Sequence, residues 1–357
     1  MEVLYARCCG LDVHQRFVVA CLSIIEAGQR RREIRTFGCT TGELLALRNW
    51  LLESGCTHVA MESTGIYWRP VYQRLLGFFE LVVANAQHLK AVPGRKTDVK
   101  DAQWIADLLQ HGLLAPSLVP AQDQQELREL TRLRLSLTQE RSRLVNRIHK
   151  LLQQAGIKLT SVLSDVLGVS GRAILEALAA GESDPERLAD LAQKSVQHKH
   201  TVLVEALTGD MRAHHRFLLR ELLTLMRAVD HAIAQVEREI EQRLHPFEKA
   251  MGRLCQMTGV SQHTLEVLFA EVGSDMSRFP DAAHLCSWAG VCPGQHESAG
   301  RRQSGRSRPG TITSKWLSSK PLMRRLIHRP IWGSSIVGSN SEGEPNGQLW
   351  LWLIVSW

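Results

Sequence analysis

Residues 8–25 read CCGLDVHQRFVVACLSII, which is two apolar runs separated by the mostly polar segment DVHQR. The first run begins near residue 3 and ends at Asp12, and the second covers residues 16–25. Apolar runs of this length, rich in β-branched residues, predict neighbouring β-strands. Residues 34–38 predict a third strand. We therefore expect the Asp12 carboxylate at the end of the first of three successive strands.

The next segments alternate between helix and strand. Thr41 is the predicted N-cap of the first helix, and a basic loop that includes Lys96 precedes the last one. Three strands followed by alternating helices and strands predict a mixed sheet with helices on its faces. The predicted order is a helix at 43–53, a strand at 58–61 closed by Glu62, a helix at 67–76, a strand at 80–84 and a helix at 98–110.

Residues 122–250 carry the heptad spacing of long helices. In the first helix a leucine recurs every seven residues from Leu130 to Leu151, while Arg134 and Arg141 interrupt the partner row. In the second helix the pattern is clean for about three heptads. Its two rows are Leu219, Met226, Ile233 and Ile240, and Leu222, Val229 and Val236. The pattern predicts either a hairpin that packs on itself or a coiled coil between chains.

The first long helix is also strongly basic. Such a run is typical of a solvated helix face, and an RNA-binding face is the alternative. Three acids, Glu126, Glu129 and Glu140, accompany the bases. The bases are Arg128, Arg132, Arg134, Arg141, Arg143, Arg147 and Lys150.

Composition excludes several classes of protein. The 357 residues are 44% hydrophobic and 22% charged, which excludes a wholly disordered or collagen-like chain. The eight cysteines form no C-x-x-C pair, so we expect reduced, buried thiols rather than a zinc ribbon. No secretory signal is visible, and the longest apolar run, residues 349–355, is too short to span a bilayer. We expect a soluble cytoplasmic protein without a membrane partner.

The formal net charge of +7 is concentrated near one end of the chain. Residues 301–357 hold nine Lys and Arg residues and two acids, so the rest of the chain is balanced. All nine bases lie at 301–329. A local excess of this kind favours a polyanionic partner such as a nucleic acid.

Four acids have the spacing of a hard-cation site. Asp12 and Glu62 each end a predicted strand, and Asp98 and Asp101 lie three residues apart on one face of a predicted helix. Carboxylate oxygens suit Mg²⁺, and two such ions can activate a nucleophile and stabilise a leaving oxygen in phosphodiester chemistry. Taken singly, each acid is more often a helix cap or a solvated surface residue.

Four motifs in order resemble the DEDD insertion-sequence transposases. They are GLDVH at 10–14, ESTGIYW at 62–68, KTDVKDA at 96–102 and SRFPDAAHLCSWAGVCPGQHESAGRRQSG at 277–305. The resemblance implies an α/β RNase H-like (RuvC-like) domain at 1–118 and a helical coiled-coil spacer at 119–250. It implies a mainly α, serine-containing transposase domain at 251–310.

The same resemblance implies residue roles. Asp12, Glu62, Asp98 and Asp101 would bind Mg²⁺, in a two-ion site, and Ser298 would attack a DNA phosphodiester. The family acts as multimers guided by a structured RNA, so we expect DNA, a guide RNA and a second copy of the chain (a dimer or tetramer) as partners.

Ser298 by itself is a serine in a Gly-rich loop, which is usually only a loop residue. Arg301, Arg302 and Arg306 follow it and suit phosphate oxygens. Together with Lys96 and Lys100, these arginines are our predicted nucleic-acid-binding residues. Ser304 is the next candidate nucleophile.

Residues 254–264, LCQMTGVSQHT, resemble a helix-hairpin-helix, in which a Gly-x-Gly turn binds a phosphate. Ser261 stands where the second glycine would be, and a plain helical turn is the alternative.

Residues 311–357 depart from the family pattern. They contain three prolines, which break helices, and five of the nine tryptophans. We interpret this tail as a frameshifted or mutated end that leaves the serine domain incompletely folded.

The predicted function is excision and insertion of an insertion sequence by Mg²⁺-dependent DNA cleavage and exchange, in the bacterial cytoplasm at the nucleoid. One alternative is a RuvC-like nuclease without serine chemistry. Others are an inactive nucleic-acid-binding remnant and a helical scaffold in which the acids are caps.

Overall fold

A computed structural model shows that the chain divides into two compact units after Pro120. Each unit has its own hydrophobic core. The structure describes residues 3–26, 28–63, 65–84, 98–117, 119–193, 196, 198–255, 261–273, 275, 277, 284, 296–298 and 301–304.

The first unit contains five strands and three helices among its described residues. The predicted order of elements is confirmed. Three boundaries differ by two residues or more: the first strand starts four residues later than predicted, the third strand starts five residues earlier, and the first helix begins at Thr41, with Thr40 as its N-cap. The elements are β1 Arg7–Val13, β2 Phe17–Glu26, β3 Gln29–Gly38, α1 Thr41–Glu53, β4 His58–Glu62, α2 Trp68–Leu75, β5 Glu80–Ala84 and α3 Asp98–Gln110.

The strands form one mixed sheet in the order β3-β2-β1-β4-β5. Strands β1, β2 and β3 are antiparallel neighbours, whereas β4 runs parallel to both β1 and β5. The crossovers between the parallel strands carry helices, as expected for parallel connections. This architecture is compatible with the predicted RNase H-like domain.

Helices cover both faces of the sheet. Alternate residues along β1 point to opposite faces, so Leu11 belongs to the core under α1 and α2. Gly10 faces α3, where Ala102 and Ala106 are fully buried. Small residues on both sides of this contact allow helix and strand to approach closely.

The second unit is helical apart from one hairpin among its described residues. Its elements are α4 Gln122–Gln154, α5 Leu159–Val162, α6 Val169–Ala180, α7 Pro185–Asp190, α8 His200–Leu207, α9 Ala213–Leu244, a 3₁₀ turn His245–Phe247, α10 Glu248–Cys255, α11 Gln262–Val272, β6 His296–Ser298 and β7 Arg301–Ser304.

The two long helices, α4 and α9, pack against each other within the chain. The shorter helices complete the core at one end: Leu144, Ile148 and Leu219 are at most 2% exposed beside residues of α6 and α8. Ile240 and Leu265 belong to a second core cluster in the same unit. The predicted helical hairpin that packs on itself thus agrees with the packing of α4 against α9 within the chain.

The two arginines that interrupt the heptad row have specific partners. The guanidinium of Arg134 is buried and pairs with the buried carboxylate of Glu266 in α11. Arg141 Nε lies 2.7 Å from Asp230 Oδ1 in α9, and Asp230 Oδ2 also accepts from Arg172 at 2.7 Å. The interruption is therefore a set of ion pairs, which keeps buried charge compensated.

The cysteines of the first unit behave largely as predicted. Cys8, Cys9, Cys21 and Cys56 are buried and unbridged, and Cys39 is half-buried. Burial raises the pKa of Cys8 to about 12 and that of Cys21 to about 11, so both thiols stay protonated at neutral pH. Among the helices of the described residues, none has the length and apolar character needed to cross a lipid bilayer.

Candidate active site

Strand register places Asp12 beside Glu62. Strands β1 and β4 are parallel, with Leu11 opposite Met61, so the two acids follow at the same edge of the sheet. Asp12 is 14% exposed and lies on the α3 face, in register with Val19 of β2. Carboxyl ends of parallel strands meet at one edge, which is why two acids 50 residues apart in sequence become neighbours.

Helix α3 brings Asp101 to the same edge. A Cβ added to Gly10 would lie 2.3 Å from the Ala102 carbonyl oxygen and 2.4 Å from the Ala106 nitrogen. Only glycine therefore permits this approach. Asp101 immediately precedes Ala102, and α3 begins one turn earlier at Asp98, whose side chain lies outside the described residues.

The far end of α3 is held by two arginines of β3. Nη2 of Arg30 and Nη2 of Arg32 both lie 2.6 Å from Asp107 Oδ1. Arg30 also donates to the side chain of Gln110, which is buried beside Ser23. Cations at the C-terminal end of a helix interact favourably with its dipole. The helix that carries two of the predicted acids is thus fixed at both ends.

The charges at this edge interact. Burial raises the pKa of Asp12, His14 lowers it, and the negative charges of Asp101 and Glu62 raise it further. The net direction is upward. Asp101 and Glu62 are thus each close enough to Asp12 to oppose its ionisation, the situation that a divalent cation relieves.

His14 is a site residue that the sequence analysis did not assign. Its Nε2 lies 3.0 Å from Asp12 Oδ2, and its ring packs at 4.7 Å from the ring of Phe17. His14 directly follows β1 and lies two residues after Asp12, so the spacing Asp-x-His was an available signal. The contact fixes one oxygen of the Asp12 carboxylate.

The donor chemistry suits a hard cation, since three of the side chains at this edge are carboxylates. Within the described side chains, no three His, Cys, Asp or Glu residues are close enough together to hold a metal ion by themselves. Asp98, the fourth predicted ligand, is not among those side chains.

Ser298 lies in a two-stranded antiparallel hairpin, in a segment that the sequence predicted as a loop. It ends β6 and pairs with Arg301, while Glu297 pairs with Arg302. The backbone register therefore brings the predicted nucleophile and two predicted phosphate-binding arginines to one turn. Lys96 and Arg306 lie outside the described residues, and Lys100 lies in α3.

Helices α10 and α11 occupy the positions of the predicted helix-hairpin-helix, and residues 256–260 between them lie outside the described residues. Ser261, which replaces the second glycine of that motif, caps α11: its Oγ accepts from the Thr264 N–H at 3.3 Å. The tail at 311–357 also lies outside the described residues.

Two family models match the chain. One, described as a transposase of the DEDD IS110 type, covers residues 9–157, and the other, described as "Transposase IS116/IS110/IS902 family", covers residues 251–317. Together they include the carboxylate edge and the Ser298 hairpin.

Three curated proteins are similar to the chain. They are a probable family 20 transposase of Pseudomonas aeruginosa (26% identity, 69% of this chain), the IS116 44.8 kDa protein of Streptomyces clavuligerus (29%, 64%) and the transposase for element IS1111A of Coxiella burnetii (27%, 78%). The matches span 64%, 63% and 68% of these relatives, respectively.

Proposed function

The chain belongs to the IS110 family of transposases, and from this premise we propose that it cleaves and exchanges DNA strands to move an insertion sequence. The observation that carries the proposal is the convergence of Asp12, Glu62 and Asp101 at one edge of the sheet. Such an edge serves phosphodiester chemistry when it binds a divalent metal.

We propose Asp12, Glu62, Asp98 and Asp101 as Mg²⁺ ligands. When bound, Mg²⁺ would act as a Lewis acid on the phosphodiester and stabilise the leaving oxygen. The protein's part is to hold the carboxylates in place. Strands β1 and β4 carry Asp12 and Glu62, and α3 carries Asp98 and Asp101. His14 orients Asp12.

Ser298 is the proposed nucleophile. Its Oγ would form a bond to phosphorus as the hydroxyl loses its proton. The bond from phosphorus to one DNA strand oxygen would break, and that oxygen would take up a proton, so that protons balance over the step. The backbone pairing of Ser298 with Arg301 supports this role, because arginine is a residue type suited to phosphate oxygens and the two residues are paired in the hairpin. Arg302 and Arg306 are proposed to extend that contact, with Lys96 and Lys100 as further DNA contacts. A guide RNA and a homo-oligomer complete the proposal.

The test is strand cleavage by the full chain on DNA carrying the ends of its own element, with the flanking RNA and with Mg²⁺. Asp12→Asn and Asp101→Asn are expected to lower cleavage at least about 100-fold. Ser298→Ala is expected to abolish the covalent protein–DNA adduct. Ser304→Ala is the matched serine control and is expected to retain it.

Three results would contradict the proposal in different ways. Cleavage that survives in Ser298→Ala without an adduct indicates a nuclease without serine chemistry. An adduct that survives in Ser298→Ala but not in Ser304→Ala indicates that Ser304 is the nucleophile. DNA binding without cleavage by the unaltered chain indicates an inactive remnant.

A further inference from the structure

The basic residues of α4 have different partners in its two halves. In the N-terminal half they bind α11: Arg132 makes two 2.9 Å contacts to the Glu271 carboxylate, and Arg128 donates to the carbonyl of Ala270 at 3.0 Å. Arg134 is buried against Glu266. These three guanidinium groups hold two helices together and are not available to a nucleic acid.

In the C-terminal half Arg141 pairs with Asp230 of α9, whereas the bases that follow it face solvent. Arg143, Arg147 and Lys150 are all exposed, at spacings of four and three residues that place them on one helix face. The opposite face is fixed in the core, where Leu144 and Ile148 are 2% and 0% exposed. The exposed row is therefore held in a defined orientation by a rigid helix.

Acids do not neutralise this row. In the part of the chain that the structure describes, neither Arg147 nor Lys150 has an ion-pair partner. Arg143 pairs with Glu140 at 2.9 Å, but both side chains are exposed, and such a pair contributes little. Exposed Lys158 follows the helix and bonds to neutral Gln153.

The second long helix, α9, shows the ordinary arrangement, in which exposed bases lie among acids. Exposed Arg238 of α9 lies among acids, and Arg243 pairs with both Glu239 and Glu126. Alternating charges of this kind make a solvated surface. The row on α4 differs because, among the described residues, Glu140 alone pairs with it.

We propose that Arg143, Arg147 and Lys150, the basic row, bind the phosphate backbone of duplex DNA. The inference rests on the proposed DNA-processing function and adds a second DNA contact, in the helical unit. Arg143 and Lys150 lie about 10 Å apart along the helix at 1.5 Å per residue. A duplex carries one negative charge per about 1.7 Å of its axis, so several phosphates fall within this span. Backbone contacts of this kind position DNA without reading its sequence.

The test compares two triple variants of the full chain with equal loss of charge. Arg143→Gln/Arg147→Gln/Lys150→Gln removes the basic row, and Lys199→Gln/Arg238→Gln/Lys249→Gln removes three exposed charges from separate elements. Fluorescence anisotropy measures binding to a labelled 30-base-pair DNA of arbitrary sequence over a range of salt concentrations. A duplex RNA of the same sequence is measured in parallel.

For the row variant we expect DNA binding at least about tenfold weaker at about 0.1 M salt. The slope of log K against log salt should fall by about 2 to 3. The control triple should change the slope by less than about 1. Circular dichroism and thermal unfolding must match the unaltered chain in both variants, as expected for exposed side chains.

Three other outcomes would overturn the inference, and each has a different meaning. Equal slopes for the two triples mean that the row is only a solvated face. A change confined to the RNA duplex reassigns the row to RNA. Failure of the unaltered chain to bind either duplex overturns the proposed function together with this inference.

Discussion

At the scale of single residues, the site depends on the environment of Asp12 and on that of Gly10. One oxygen of its carboxylate accepts from the His14 ring at 3.0 Å, while its charge is opposed by burial and by two neighbouring acids. Gly10, two residues earlier on the same face, has no side chain and so lets α3 carry Asp101 to this point. Both environments can be tested by single substitutions.

We expect His14→Ala to weaken metal binding by about tenfold or more, since hydrogen-bond partners of a metal ligand typically contribute that much. His14→Gln retains an N–H donor and should bind within about threefold of the unaltered chain. Isothermal titration with Mn²⁺ measures both, independently of DNA cleavage. Equal affinities for the alanine and the unaltered protein would exclude a positioning role for His14.

Gly10→Ala should destabilise the protein by about 2 kcal/mol or more, because its methyl group meets the backbone of α3 and overpacking has this order of cost. Gly42→Ala is the control: that glycine lies in α1 with open space around it, and alanine favours a helix by up to about 1 kcal/mol. Urea unfolding followed by circular dichroism compares them. A Gly10→Ala protein as stable as the Gly42→Ala protein would show that α3 can move away without cost.

At the scale of elements, arginines decide how the helices of the second unit are joined. Arg134 links α4 to α11, and Asp230 of α9 links Arg141 of α4 to Arg172 of α6. Burial alone would raise the pKa of Asp230, but hydrogen bonds from the two arginines lower it overall. A lowered pKa in the folded state means that this contact stabilises the fold only while the carboxylate is ionised.

Asp230→Asn should lose about 1–3 kcal/mol at pH 7, the range for hydrogen bonds to charged groups. The contribution is fully present above the unfolded pKa of about 3.9 and is lost as the pH falls through the lower folded pKa. The difference in Tm between the variant and the unaltered chain should therefore shrink between pH 5 and about pH 2.5. Asp210→Asn, which removes an exposed partner of Arg212, should change little at any pH. A pH-independent loss in Asp230→Asn would contradict the assignment.

At the scale of the whole molecule, the chain is two units with separate cores. The described core clusters lie wholly on one side or the other of Pro120. The carboxylate edge belongs to the first unit, and the Ser298 hairpin and the basic row belong to the second. Stability of one unit is therefore expected to be independent of core contacts in the other.

Residues 1–120 expressed alone should fold, with mixed α/β circular dichroism and one cooperative unfolding transition. The physical reason is that the sheet and the three helices that cover it lie within this segment. Asp12→Asn in the same fragment is the control. It removes a site carboxylate but no hydrophobic core residue, so it should also unfold cooperatively. A fragment without a cooperative transition would show that the first unit depends on the second.

The order of strands and helices, the four acids and the family motifs could all be read from local patterns, since hydrophobic periodicity and turn residues act over a few positions. Long-range contacts are not encoded in that way. The close packing of α3 against Gly10, the His14 contact to Asp12 and the division of the α4 bases into paired and exposed ones required the tertiary structure. Sequence alone treats the seven bases of α4 as equivalent, whereas packing against α11 and α9 buries or pairs four of them and leaves Arg143, Arg147 and Lys150 exposed.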